Sequence, residues 1–127
     1  MICQAIERHA EHTPDAIALR FGDAAITYTA LSRQVGATVE WLAGQGIGHG
    51  DRVAFLGDNH PSQVVLLLAC GWIGAIQVPL NWQLAEPELA LMLEDSEAVA
   101  ACATAEAKPV AHRAAPPGCE VLEAEAA

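Results

Sequence analysis

The sequence predicts an α/β fold in which a mostly parallel sheet is flanked by helices in three layers, with a β-hairpin before it. Residues 53–56 form a short, continuous apolar run, which is typical of a strand buried on both faces of a parallel sheet. A helix beginning near Pro61 is apolar on nearly all sides as far as Ile73, which places it between layers. Residues 75–80 then return as a strand, completing a βαβ unit.

Length and charge limit the classes of function. The 127 residues are 53% hydrophobic, which suits one compact domain or one large piece of a domain. Six basic residues against sixteen acidic ones give a formal net charge of -10. Because this charge repels polyanions, we expect no nucleic-acid partner and no anionic membrane partner.

The cysteines and the apolar segments indicate a cytoplasmic protein without a membrane span. The four cysteines, Cys3, Cys70, Cys102 and Cys119, share no C-x-x-C spacing, which favours a reducing compartment. Charged residues interrupt the N-terminus, so no export signal is visible. The most hydrophobic segment, residues 64–73, is too short to cross a bilayer.

The N-terminal third is expected to hold a helix, a hairpin and a second helix. Residues 2–12 have helical spacing of apolar side chains, and residues 16–21 and 24–28 are strand-like runs joined by a Gly-Asp turn. Thr29 is expected to cap the next helix, which ends at Gly44 and Gly46. Its apolar stripe consists of Leu31, Val35, Thr38, Val39 and Leu42.

The rest of the chain continues the α/β alternation. Asp58 or Asn59 is expected to cap the helix that begins near Pro61. A helix over residues 86–93, with Leu89, Met92 and Leu93 on one face, and a strand over residues 99–103 follow. We expect residues 1–127 to form a single α/β subdomain whose end, residues 104–127, is weakly ordered or irregular. That end is expected to contain a short helix near Pro109 and a strand at residues 120–122.

Two glycine-containing loops invite a phosphate-binding interpretation, and a structural role is favoured for both. The glycines of residues 44–50 follow a helix and precede a strand, whereas phosphate-binding glycines follow a strand and precede a helix. We therefore interpret this loop as a helix stop and a turn. Residues 57–61, Gly-Asp-Asn-His-Pro, have the required order, but Asp58 would repel an anion.

No side chains are assigned to catalysis, cofactor binding or metal binding. His9 and His12 lie three residues apart without an evident third metal ligand. No serine lies in a G-x-S-x-G elbow. Solvated faces are favoured for two charge clusters. They are the acidic one at Glu94, Asp95 and Glu97 and the basic one at Lys108, His112 and Arg113.

Four short motifs resemble, in order and at suitable separations, the N-terminal region of the adenylate-forming, AMP-binding synthetases. They are T-P-D-A-I-A-L, I-T-Y-T-A-L, G-D-R-V-A-F-L-G-D-N and G-A-I-Q-V-P-L-N. The resemblance covers residues 13–103, and four motifs in register make chance similarity improbable. Asn81, at the end of the last motif, resembles the acyl-CoA ligase branch more than peptide-synthetase adenylation domains, which often carry Asp there.

The resemblance implies a Rossmann-like subdomain of a larger enzyme. Family members use ATP and magnesium to convert a carboxylic acid to an acyl-adenylate and then pass the acyl group to CoA or another thiol. Their glycine-rich loop ending in lysine is absent here, and Lys108, the only lysine, lacks neighbouring glycines. No catalytic residue is carried over, and ATP, magnesium and CoA are implied only for the full-length parent.

Four hypotheses follow for this chain. The first is an N-terminal part of an acyl-CoA synthetase, inactive alone, whose partner is the remainder of the parent enzyme. Without that remainder, apolar surface would be left exposed, and we therefore expect the chain to self-associate. The alternatives are a stand-alone interaction module on the same scaffold, an adenylation-domain fragment of a peptide synthetase, and a flavodoxin-like ligand-binding domain.

Overall fold

The computed structural model describes residues 2–124 and contains five helices and six strands within them. In chain order they are α1 (Ile2–His12), β1 (Ile17–Phe21), β2 (Ala24–Thr27), α2 (Tyr28–Gly44), β3 (Arg52–Leu56), α3 (Pro61–Ile73), β4 (Ile76–Leu80), α4 (Glu86–Ser96), β5 (Ala100–Ala103), α5 (Lys108–Ala114) and β6 (Glu120–Glu123).

The strands form two separate sheets. β1 and β2 pair antiparallel, and the other four strands form a parallel sheet in the order β4-β3-β5-β6. Pro79 lies in β4 at the edge of the sheet, where a residue without a backbone N–H is tolerated. The predicted hairpin and parallel sheet are both confirmed.

Helices cover the parallel sheet on both faces, which confirms the three-layer prediction. Val53 and Phe55 of β3 pack into a core with α1, α2 and α3, whereas Ala54 and Leu56 pack into a second core with α4 and α5. This alternation follows from the two-residue period of a strand. The predicted burial of residues 53–56 on both faces is therefore correct.

The predicted cap of α2 is wrong by two residues. Thr27, not Thr29, is the N-cap, and its Oγ1 accepts a hydrogen bond from the backbone N–H of Ala30 at 3.1 Å. The Thr29 hydroxyl instead donates to the carbonyl of Pro14 at 3.0 Å and so ties the helix to the preceding loop. Because β2 ends at Thr27, the helix begins earlier than the apolar stripe indicated. The stripe itself is confirmed by the burial of Leu31, Val35, Thr38 and Leu42.

The predicted cap of α3 is also wrong. His60 is the N-cap, and its Nδ1 accepts a hydrogen bond from the backbone N–H of Ser62 at 3.1 Å. Pro61 occupies the first turn as predicted. The side chain of Asp58 is instead engaged by Trp82 from the loop after β4, a partner that local sequence does not reveal.

Replacing His60 by alanine is expected to lower the free energy of unfolding by about 0.5 to 2 kcal/mol, the usual loss for a helix N-cap. Asn59→Ala is the matched control and should change stability little, since Asn59 does not cap the helix. His60→Asn should retain part of the stability because its amide oxygen replaces the acceptor. Urea denaturation of the three variants measures these differences, and an equal loss in Asn59→Ala would contradict the assignment.

The predicted burial of apolar side chains on α3 and α4 is wrong in part. Leu89 and Leu93 of α4 are buried, but Met92 is 40% exposed. Leu67 of α3 is 50% exposed, so this helix does not lie wholly between layers as its composition indicated. α3 is buried against the sheet and also against α1 and α2, and its exposed side carries Leu67.

The C-terminal segment contains the helix and the strand that were expected there. α5 includes Pro109, and β6 pairs in parallel with β5 at the edge of the sheet. Residues 125–127 of the end that was expected to be irregular lie outside the described residues. Within residues 2–124, no helix combines the length and the apolar character needed to span a bilayer.

Candidate functional site

The carboxyl edge of the parallel sheet is the candidate functional site. The neighbouring strands β3 and β5 lead into α3 and α5, which lie on opposite faces of the sheet. In open α/β sheets, ligands bind outside the carboxyl ends of the strands at such a switch point. The loops that meet here are residues 57–60 after β3 and residues 104–107 after β5, and residues 81–85 follow β4 beside them.

A hydrogen bond joins the loops after β3 and β4. Trp82 Nε1 donates to Asp58 Oδ1 at 2.9 Å, and both side chains lie near the surface. Asn81 Oδ1 accepts from the backbone N–H of Gln83 at 3.0 Å, which shapes the turn that presents Trp82. Asp58, predicted as a possible cap of α3, instead fixes one loop against the next.

The loops after β3 and β5 touch at a position where only glycine fits. A Cβ atom on Gly57 would lie 2.5 Å from Thr104 Cγ2 and 2.8 Å from Thr104 Oγ1. Thr104 is itself held in place, because its backbone N–H donates to the carbonyl of Leu56 at 3.0 Å. The absence of a side chain at Gly57 thus permits the close approach of two loops at the switch point.

Among the cavities that open beside this edge, two differ clearly in size and lining. The larger, the hairpin groove, has a volume of about 440 Å³ and lies between β2, α2 and the start of α3. Its lining residues are Phe21, Ala24, Ile26, Gln34, Thr38, Trp41, His60, Pro61, Ser62, Val65, Leu66, Cys102 and Ala124. The smaller, the switch-point crevice, has a volume of about 230 Å³ and is lined by Phe21, Asp58, Asn59, His60, Thr104, Ala105 and Glu106.

The charges of the switch-point crevice disfavour a phosphate. Asp58 and Glu106 are the charged residues of its lining, and both are acidic. A nucleotide triphosphate would meet repulsion from these carboxylates, which opposes the favourable dipole at the start of α3. The preference for a structural role of residues 57–61 is therefore consistent with the observed geometry.

A contact between a serine and a histidine in the hairpin groove was not predicted from the sequence. His60 Nδ1 lies 2.7 Å from Ser62 Oγ and also accepts from the backbone N–H of Ser62. The only local signal was a histidine two residues before a serine at a helix start. Because the same ring nitrogen caps α3, we interpret the pair as a capping arrangement rather than an activated nucleophile.

The cysteines are unsuited to nucleophilic chemistry. Burial, reinforced by the neighbouring Cys70 and Cys119, raises the pKa of the Cys102 thiol to about 12. Burial likewise raises the pKa of Cys70 to about 11. The thiolate is the reactive form, so these groups remain protonated and inert at neutral pH.

The glycine loop of residues 44–50 lies at the opposite edge of the sheet. α2 ends at Gly44, and Gly46 and Gly50 take positive φ angles of 79° and 82°. The backbone N–H of Gly48 donates to Asp51 Oδ2 at 2.8 Å, which closes the turn before β3. The interpretation of this loop as a helix stop and turn is confirmed.

The remaining candidates stay apart from the carboxyl edge or are paired at the surface. The His9 ring packs on Tyr28 at 4.9 Å between centroids, and residues 2–124 contain no group of three potential metal ligands from His, Cys, Asp and Glu. Arg113 forms an ion pair with Glu86 at 2.7 Å. Lys108 forms an ion pair with Glu123 at 3.5 Å. Exposed pairs of this kind contribute little to stability.

Comparisons with known proteins place the geometry in a wider context. The sequence profile described as AMP-binding enzyme matches residues 6–126. The chain is 48% identical over 91 residues to a feruloyl-CoA synthase from Amycolatopsis sp, an alignment that covers 72% of this chain and 18% of the relative. It is 39% identical over 90 residues to an indoleacetate–CoA ligase from Aromatoleum aromaticum, covering 71% of this chain and 18% of the relative.

A solved structure supports the fold in three dimensions. The Mycobacterium tuberculosis fatty acyl CoA synthetase superimposes with a TM-score of 0.89 and 28% sequence identity. The superposition covers 98% of this chain and 26% of that protein. The chain thus spans about a fifth of the length of the curated relatives named above and about a quarter of this solved structure.

Proposed function

Because the chain belongs to the AMP-binding enzyme family, we propose that it is the N-terminal part of an ATP-dependent ligase. This ligase converts a carboxylic acid to an acyl-adenylate and transfers the acyl group to CoA. The observation that carries the proposal is the 48% identity over 91 residues to a feruloyl-CoA synthase. Its alignment includes most of the chain but only 18% of the relative. The activity is therefore proposed for a longer protein to which this chain contributes.

The proposed acid is aromatic. The names of the two curated relatives, feruloyl-CoA synthase and indoleacetate–CoA ligase, both specify an acid that carries an aromatic ring. A curated relative named for a fatty acid, the fatty acid–[acyl-carrier-protein] ligase of Streptomyces coeruleorubidus, shares less sequence, at 34% identity over 95 residues. This difference favours an aryl or arylalkyl acid over a fatty acid.

Within the longer ligase, this chain acts as a scaffold, as a single α/β subdomain of a larger domain. ATP and magnesium do not fit the described residues. Asp58 and Glu106 at the switch-point crevice repel a triphosphate, and residues 2–124 offer no cluster for a metal ion. We therefore assign the stabilisation of the reacting phosphoryl group to the rest of the ligase.

An ATP–pyrophosphate exchange assay tests this division. The 127-residue chain and the longer protein are each assayed with ferulate, indole-3-acetate and a long-chain fatty acid. The longer protein is expected to exchange pyrophosphate with the aromatic acids in preference to the fatty acid. The 127-residue chain is expected to show no exchange with any of them.

The outcomes separate the alternatives. Exchange by the 127-residue chain alone would overturn the scaffold role. Preference of the longer protein for amino acids would indicate an adenylation domain of a peptide synthetase. A correctly folded longer protein without any exchange would favour a non-catalytic module on the same scaffold.

A further inference from the structure

The hairpin groove is an apolar surface that the described residues leave open. Its walls are formed by Ala24 and Ile26 of β2, Trp41 of α2 and Leu66 of α3, with Ala124 at the end that follows β6. Its volume of about 440 Å³ leaves room for several apolar groups. An apolar cavity of this size in a folded domain normally receives a ligand or another protein segment.

The hairpin beside the groove is incomplete as a sheet. Among residues 2–124, β1 and β2 pair only with each other. A two-stranded hairpin is marginally stable in water unless it packs on other elements. Ile17 and Phe21 of β1 are 40% and 45% exposed, so part of the apolar surface of the hairpin remains uncovered.

We propose that a segment of the same polypeptide, C-terminal to residue 127 in the longer ligase, packs apolar side chains into the hairpin groove. This inference rests on the proposed function, because that function requires a longer chain. The groove thereby joins the hairpin and the parallel sheet of this chain to the remainder of the enzyme.

Proximity favours this occupant over a second copy. Ala124 lines the groove, so polypeptide that continues from β6 starts beside it. Tethering within one polypeptide raises the effective concentration of the segment, to the order of millimolar for a short flexible linker, above that of a separate molecule. A formal charge of -10 on every copy adds mutual repulsion between copies.

Two adjacent alanines of β2 provide a matched test. Ala24 and Ala25 are both exposed, but only Ala24 lines the groove, since successive strand residues point to opposite faces. Ala24→Asp and Ala25→Asp are each introduced into the 127-residue chain and into the longer ligase. The unfolding equilibrium is then measured in urea.

In the 127-residue chain, both variants should match the parent, because both side chains remain in water. In the longer ligase, Ala24→Asp should raise the unfolding equilibrium constant by roughly tenfold or more, because an unpaired carboxylate becomes buried. Ala25→Asp should leave it nearly unchanged. Equal effects of the two variants in the longer ligase would overturn the proposal.

A second readout does not depend on a variant in the groove. With Trp72, Trp82 and every tryptophan outside the 127 residues of the longer ligase replaced by phenylalanine, acrylamide quenching reports on Trp41 alone. Quenching should be several-fold weaker in the longer ligase than in the 127-residue chain. Equal quenching in the two proteins, or a dimer of the longer ligase that Ala24→Asp dissociates, would overturn the proposal. Loss of pyrophosphate exchange by the longer protein would reject the ligase function separately, since stability and quenching do not depend on activity.

Discussion

Replacing Phe55 by alanine is expected to lower the free energy of unfolding by about 3 to 5 kcal/mol, the usual cost of removing a buried aromatic ring. Phe55 is 1% exposed and lies in the central strand β3, where it contacts the core formed with α1, α2 and α3. The loss combines transfer of apolar surface to water with the cavity that remains. Urea or thermal denaturation of the 127-residue chain measures it.

Phe21→Ala is the matched control for this prediction. Phe21 belongs to the hairpin and is 45% exposed, so its removal should cost only about 1 kcal/mol, in proportion to the area it buries. Leu56→Ala, on the opposite face of β3, should cost about 2 to 5 kcal/mol by emptying the other core. Equal losses for Phe55 and Phe21 would contradict the assignment of the core.

Gly57→Ala is expected to lower the free energy of unfolding by about 1 to 3 kcal/mol, the usual cost of forcing extra atoms into a packed site. The new methyl group would meet two side-chain atoms of Thr104 at 2.5 and 2.8 Å. Thr104 cannot easily move away, because its backbone forms hydrogen bonds with Leu56 and with the start of α5. The same denaturation assay measures the change.

A double-mutant cycle identifies the cause of that loss. Thr104→Ala removes both of the atoms closest to the new methyl group and leaves Thr104 Cβ at 3.2 Å. The double variant should therefore recover much of the stability lost in Gly57→Ala, with a coupling of about 0.5 to 3 kcal/mol. Simple additivity of the two changes would show that the loops do not meet as described.

The order of the elements could be predicted because it depends on local periodicity. The apolar run at residues 53–56, the stripe from Leu31 to Leu42 and the Gly-Asp turn of the hairpin each reflect contacts between near neighbours in the sequence. The parallel sheet followed from the alternation of strands with helices. The family resemblance rested on the same turns and strand ends, and the match of the family profile to residues 6–126 confirmed it.

The candidate site was predicted poorly because its contacts join distant residues. Asp58 had the composition of a helix cap, yet Trp82, 24 residues later, engages its carboxylate. Because α3 begins at Pro61, His60 takes the cap position, where it also meets Ser62. No local sequence pattern predicts that position 57 must lack a side chain because Thr104, 47 residues further along the chain, packs against it.

The sequence by itself determined the elements, their order and the class of the fold, since hydrophobic period and turn chemistry act over a few residues. Only the tertiary structure decided which faces of α3 and α4 are buried, how the loops at the carboxyl edge interlock, and that an apolar groove remains beside the hairpin. These features arise from the relative placement of elements far apart in the chain. The free energy of packing is a property of both surfaces in a contact, and neither surface alone specifies it.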